Sequence, residues 1–186
     1  HNINNMYVDD AFNGSGLFGY ISDGAEISDL TVSGMVVSSA LCTGGIVGKA
    51  ESNGQNAKIM NCVNNCTVNS SAAKTGGIIG DDAGCDVSRC INNGDITVTA
   101  ASGNEGAGGI AGTLSGGSIT ECVNRGAVKF VKAADAQDAV SVNAGGIAGL
   151  MRSIGTAAAI TNSYNSGAVD CRNGAATSAC GGITGY

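Results

Sequence analysis

Five stretches of this 186-residue chain fall into one register of apolar and polar positions: ISDLTVSGMV from Ile27, IMNCVNNCTV from Ile59, VSRCINNGDI from Val87, ITECVNRGAV from Ile119 and ITNSYNSGAV from Ile160. The opening aliphatic is followed by a small polar residue (Ser28, Ser88, Thr120, Thr161, with Met60 departing). A mixed-charge position that must face water comes next: Asp29, Asn61, Arg89, Glu121 and Asn162. Then stands a compact, mostly apolar residue: Leu30, Cys62, Cys90, Cys122 and Ser163. Two places on lies an asparagine column, Asn64, Asn92, Asn124 and Asn165, with Val32 in the first unit. A glycine column follows (Gly34, Gly94, Gly126, Gly167, with Cys66 the exception), and after one residue an aliphatic column of Val36, Val68, Ile96, Val128 and Val169. From there Ile96-x-Val98 and Val128-x-Phe130 alternate with period 2, the mark of strands with one inward and one outward face.

A short glycine phrase introduces each unit: Gly16-Leu17-Phe18-Gly19, Gly45-Ile46-Val47-Gly48, Gly77-Ile78-Ile79-Gly80, Gly109-Ile110-Ala111-Gly112, Gly146-Ile147-Ala148-Gly149 and Gly182-Ile183-Thr184-Gly185. In all but the first copy another glycine precedes it, and the closing glycines are 29, 32, 32, 37 and 36 residues apart. Such a period marks stacked repeats. Three short strands per repeat, separated by glycine or asparagine corners, predict an all-β fold: a right-handed parallel β-helix of about five coils, 29–37 residues per coil. The right hand follows from the bias of parallel crossovers and from intervals longer than those of left-handed hexapeptide helices. Residues 1–15 read as a partial coil or N-terminal cap and 16–186 as the repeats; at most a turn or two of helix is expected, within 132–140.

Stacking explains the columns. One coil cannot bury its own apolar side chains, whereas coils ~4.8 Å apart pile like on like and satisfy one another's backbone groups. An asparagine column can sit inward by running amide-to-amide hydrogen bonds along the stack. Five intervals make a rod roughly 25 Å long. The glycine phrase becomes the corner and first strand of each coil, with Leu17, Ile46, Ile78, Ile110, Ile147 and Ile183 stacked inward.

Composition narrows the function. Apolar residues make up 43% and charged residues 13%, enough to bury a core, while 31 glycines, no proline and no tryptophan suit a narrow interior with many tight turns. A net charge of −6 with nine scattered Lys and Arg argues against a nucleic-acid or anionic-membrane partner. No apolar run approaches the ~20 residues of a spanning helix. The chain opens His1-Asn2 with no signal peptide and reads as a fragment of a longer protein, any export signal lying outside it.

The glycine phrase resembles the GLUG motif, matched literally by Gly16-Leu17-Phe18-Gly19 and with Ile for Leu at 46, 78, 110, 147 and 183. Proteins similar to this are secreted or surface-anchored bacterial proteins, including the non-catalytic repeat region of streptococcal-type immunoglobulin A1 proteases. The resemblance implies an extracellular, cell-surface solenoid without a cofactor, a spacer or an adhesin-like module whose partner is a host or cell-surface protein or glycan.

Candidate chemistry is thin. Of the eight cysteines, Cys62-x3-Cys66 and Cys85-x4-Cys90 have roughly metal-ligand spacing, but the only histidine is His1, and Cys62, Cys90 and Cys122 share an inward column, so small core residues are the expectation. If a disulfide forms, Cys66 and Cys85 are the best candidates; Cys42 and Cys180 both precede a Gly-Gly pair but lie at opposite ends. Asp81, Asp82 and Asp86 cluster in one expected turn, where three carboxylates can make a calcium site, although a solvated acidic turn is the simpler expectation. Nucleophilic catalysis lacks an internal histidine. Asp29 and Glu121 share a column about 14 Å apart at the stacking distance, and Asp135 and Asp138 lie in an inserted loop, so no carboxylate pair suits glycoside cleavage. Tyr20 and Tyr186 stand at the two ends of the stack, Tyr164 and Phe130 among aliphatic or small neighbours. A binding face is expected along the variable loops 49–58, 99–107, 129–143 and 172–179. The alternatives to a spacer or adhesin are a polysaccharide-processing β-helix enzyme and a calcium-dependent adhesin.

Overall fold

The computed structural model describes residues 1–71, 74–100, 104–134, 136, 141–152, 157–171 and 177–186. The chain is all-β, its parallel strands stacked as a β-solenoid of about five turns with about 32 residues per turn. No described residue is helical, including those of 132–140 that are described.

Each turn feeds three sheets. In the third turn the chain runs along Lys74–Gly76, reverses through Gly77 and Ile78 into Ile79–Ser88, and turns at Arg89. It then continues through Ile91–Asn92 and Ile96–Ala100. These layers are called below the lead-in, phrase and asparagine sheets. The columns aligned from sequence are the register partners: Val87 stands between Ile59 and Ile119, Asn92 between Asn64 and Asn124, Ile96 between Val68 and Val128. A strand at Asn2–Asp10 lies beside Thr31–Ser38 at the edge of the asparagine sheet.

The corner between the phrase and asparagine sheets rests on one left-handed residue per turn. Asp29, Asn61, Arg89, Glu121 and Asn162 have φ of 54°, 54°, 51°, 56° and 50°. Asn and Asp tolerate this region; Arg and Glu adopt it because the coils on either side dictate the path. Their side chains are exposed, as the mixed polarity demands, and they link along the rod. Asn61 Nδ2 donates to Asp29 Oδ1 at 3.2 Å, Arg89 Nε donates to Asn61 Oδ1 at 2.8 Å, and Arg89 lies 3.9 Å from the Glu121 carboxylate.

Inside runs the asparagine ladder. Asn64 Nδ2 donates to Asn92 Oδ1 at 2.8 Å, Asn92 to Asn124 at 2.7 Å and Asn124 to Asn165 at 2.8 Å. Each amide also donates to a carbonyl two residues on, of Cys66, Gly94, Gly126 or Gly167. Asn64, Asn92 and Asn124 are fully buried, which a polar group survives only when hydrogen-bonded.

The ladder explains the second glycine of the pairs that open the second to fifth turns. A Cβ on Gly45, Gly77, Gly109 or Gly146 would overlap the side-chain amide of Asn64, Asn92, Asn124 or Asn165. The tip where the lead-in strand reverses into the phrase strand thus rests on the ladder. In the first turn Ser15 stands beside Thr43 and Phe18 beside Val47, so a single glycine, Gly16, makes the reversal where the second turn uses Gly44 and Gly45. That same turn carries Val32 in the asparagine column. Where the second glycine is missing, so is its asparagine.

The tip divides the interior in two. One apolar cluster packs Ile46, Ile78, Ile110 and Ile147 of the tip and Ile59, Val87 and Ile119 of the phrase sheet on Cys62, Cys90 and Cys122 at the corner and Cys66 of the asparagine sheet. The other packs Val36, Val68, Ile96, Val98, Val128 and Phe130 on Ala107 and Ala144 of the lead-in sheet. The asparagine strand is continuous in the first two turns, as Thr31–Ser38 and Val63–Ser70, and is interrupted in the later ones at Gly94, Gly126 and Gly167. Cys66 and Gly34 both stand inside continuous strands, and glycine is required at 34 because a Cβ there would overlap the Met6 backbone.

Candidate functional site

The three aspartates proposed from sequence do not converge. They lie in a strand, Ile79–Ser88, rather than in a turn, and Asp81 and Asp82 are buried rather than solvated. Being consecutive, these two point to opposite sides. Asp81 faces the lead-in sheet, where Lys74 Nζ is 2.5 Å from its Oδ2 and the Cys42 thiol donates to the same oxygen at 3.8 Å. Asp82 enters the first core in a column with Ile21, Ala50 and Leu114. Its Oδ1 accepts from the backbone N–H groups of Gly84 and Cys85 at 3.2 and 2.7 Å, and its Oδ2 has no partner. Burial pushes this carboxyl well above the usual range. Asp86 accepts from Ser118 Oγ at 2.8 Å and Asn56 Nδ2 at 3.2 Å. Among the described residues no group of three or more His, Cys, Asp or Glu side chains stands where it could hold a metal ion.

The cysteines divide into core and staple. Cys62, Cys90 and Cys122 are fully buried free thiols in one column. Cys90, hydrogen-bonded by Cys122 and Cys62 and buried between them, is shifted strongly upward and is the hardest of the three to ionise. Cys66 and Cys85, the best candidates if a disulfide were to form, are not bridged: the two enter the first core from the asparagine and phrase sheets and both are free, Cys66 pushed up to about 11 by burial. The disulfide joins Cys171 to Cys180, with Cα atoms 6.1 Å apart. Cys180 occupies the column of Ala144, directly before a Gly-Gly pair. Cys42, beside Lys74, belongs to the neighbouring column. The sequence carried a signal for this bridge, since Val169-x-Cys171 repeats the inward alternation of Val128-x-Phe130.

Asp29 and Glu121 are exposed at the same corner of the stack, three turns apart; Asp135 and Asp138 lie outside the described residues. Tyr20 and Tyr186 are exposed at opposite ends, Tyr20 donating to Glu51 Oε2 at 3.2 Å, while Tyr164 is half exposed and Phe130 buried. Of the variable loops, residues 101–103, 135, 137–140 and 172–176 lie outside the described residues; the described strands on either side of them belong to the asparagine and lead-in sheets, whereas 49–58 interrupts the phrase sheet between Val47–Glu51 and Ala57–Met60.

Beside the former corner the outer face of the asparagine sheet holds a shallow depression of about 460 Å³. Asp9, Val37, Asn69 and Thr97 cross it as successive register partners, with Lys129 and Asp170 continuing the column beyond it. Ser39, Ser71 and Thr99, two residues further along the same paths, line it too, together with Ser38 and Ser70, whose hydroxyls are engaged: Ser38 Oγ accepts from the Ala40 N–H at 2.9 Å and Ser70 Oγ lies 3.4 Å from Thr43 Oγ1. A neighbouring outward column is self-engaged: Asn93 Nδ2 donates to Asn65 Oδ1 at 2.8 Å and Arg125 donates to Asn93 Oδ1 at 3.3 Å. By contrast, the side chains of Asn69, Ser71, Thr97 and Thr99 make no hydrogen bond to another described residue.

No family model, no curated protein and no solved structure matches the chain.

Proposed function

We propose that this chain is a non-catalytic extracellular module of a larger bacterial cell-surface protein, akin to GLUG-repeat regions, that serves as a rigid spacer presenting an adhesin-like face. The observation that carries the reading is the continuity of the interior: the asparagine ladder runs unbroken from Asn64 to Asn165, and the two apolar clusters pass from turn to turn. Such a stack resists bending because every coil shares hydrogen bonds with the next. The Cys171–Cys180 disulfide supports an extracellular setting, since such bonds persist in oxidising compartments.

Single-molecule pulling from the two termini tests the mechanical role. Cooperative rupture in one or two steps, with a total length gain on the order of 600 Å for the extended chain, is expected. Gradual lengthening at low force, coil by coil, would refute the spacer.

A further inference from the structure

We infer that the depression on the outer face of the asparagine sheet binds an extended, neutral, β-linked oligosaccharide; this rests on the adhesin-like reading above and names its ligand class. Its size is right for a small ligand: about 460 Å³ falls within the range of ligand pockets. It crosses four strands, so three strand spacings give it a length of ~14 Å.

Chemistry selects the class. The lining offers hydroxyls, an amide and one carboxylate, from Asn69, Ser71, Thr97, Thr99, Ser39 and Asp9, and no cation. Inside the depression an anionic polymer would meet the Asp9 carboxylate and no cation, Lys129 standing one rung beyond Thr97 and followed by Asp170, whereas a polyhydroxyl chain finds alternating donors and acceptors. Val37 supplies an apolar rung for the C–H face of a sugar ring. The side chains of Asn69, Ser71, Thr97 and Thr99 make no hydrogen bond to another described residue, unlike the self-paired column nearby, while Asp9 accepts from the Tyr7 hydroxyl at 3.4 Å.

Periodicity selects the linkage. Equivalent side chains repeat at the strand spacing of ~4.8 Å, close to the rise of one ring in an extended β-linked chain, so successive rings meet successive rungs. A coiled α-linked chain cannot keep that register. The rungs sit on paired strands, so little ordering is needed on binding.

The test titrates the intact chain with cellohexaose, chitohexaose and maltohexaose, read by calorimetry and by amide chemical-shift changes. Thr97→Val and Asn69→Ala serve as variants, each checked for an unchanged melting curve. Saturable binding of a β-linked hexamer is expected, weakened at least about fivefold by each variant, the loss of roughly one hydrogen bond, with maltohexaose much weaker. If β-linked hexamers bind but neither variant weakens them, this site is wrong while the adhesin reading stands. Equal binding of maltohexaose overturns the register argument. If no neutral hexamer saturates, the inference fails, and the spacer role stands or falls on the pulling measurement alone.

Discussion

Replacing Asn92 by Ala attacks the ladder at its centre. The side chain accepts from Asn64 Nδ2 at 2.8 Å and donates to Gly94 O at 2.8 Å and Asn124 Oδ1 at 2.7 Å, all fully buried. Three hydrogen bonds worth roughly 1 kcal/mol each disappear, and the partners left behind find no water. A loss of about 4 kcal/mol is expected, equivalent to roughly 10 °C in Tm for a chain of this size. Asn165→Ala, half-buried at the open end of the ladder where water can replace the amide, should cost about 1 kcal/mol. Asn92→Asp separates polarity from volume: it keeps the shape but sets an acceptor against Gly94 O and Asn124 Oδ1, so it should be at least as damaging as Ala. Urea unfolding followed by far-UV circular dichroism measures all three, provided the m-value is unchanged. A cost below about 1 kcal/mol for Asn92→Ala, or a mild Asn92→Asp, would refute the claim that hydrogen bonding rather than space-filling holds this column.

Gly112→Val should prevent stable folding, because a Cβ there would overlap the backbone of Thr75 and Gly80, whereas Glu121→Ala on the exposed corner should cost under about 0.5 kcal/mol; thermal melts compare them. For Asp82 the folded carboxyl is shifted above its ordinary value of 3.8, so its contribution is fully present below that pH and is lost as the pH rises through the folded value. Asp82→Asn, which keeps an oxygen for the Gly84 and Cys85 N–H groups, should therefore gain stability relative to the parent between pH 4 and pH 8; a pH-independent difference in urea stability would refute this. Reduction, or Cys171→Ser, should destabilise the C-terminal turn by up to about 3 kcal/mol for a loop of this length. Under native conditions Cys171 and Cys180 should then alkylate after reduction while the six buried thiols react only on unfolding, which peptide mass mapping reads.

The fold was legible because its determinants repeat. Stacking makes each column test one position five times, so the inward aliphatics, the asparagine ladder and the outward corner all surfaced from alignment within one chain. Backbone state was harder to see: the left-handed corner residues were placed outward, but Arg89 and Glu121 hid the conformation that Asn61 and Asn162 hint at. Side-chain pairing across sheets was hardest. Nothing in a single strand says that Asp82 points into the core while Asp81 meets Lys74, and the Asp81–Asp82–Asp86 turn was misjudged because a bulge at Gly84 is crossed by one continuous strand. The candidate site was least legible of all, since the depression is made by ordinary Ser, Thr and Asn on four strands, each unremarkable alone.

The second core shows how one fold absorbs such variation. Along the rod the inward column of the asparagine sheet runs Ser70, Val98, Phe130 and that of the lead-in sheet Thr43, Thr75, Ala107, Ala144, Cys180, with Ser70 beside Thr43 at one end and Cys171 bonded to Cys180 at the other. Hydroxyls that bond each other, aliphatics that pack and sulfurs that bond covalently all join the asparagine sheet to the lead-in sheet. The interior therefore demands complementarity between the two layers at each level rather than any one residue type. The same rule governs the tip, where Gly16 alone goes with Val32 and a Gly-Gly pair goes with asparagine. Since single substitutions break a match that paired ones keep, inserting a second glycine beside Gly16 together with Val32→Asn should be tolerated better than Val32→Asn alone, which would place an amide under a tip too short to cover it.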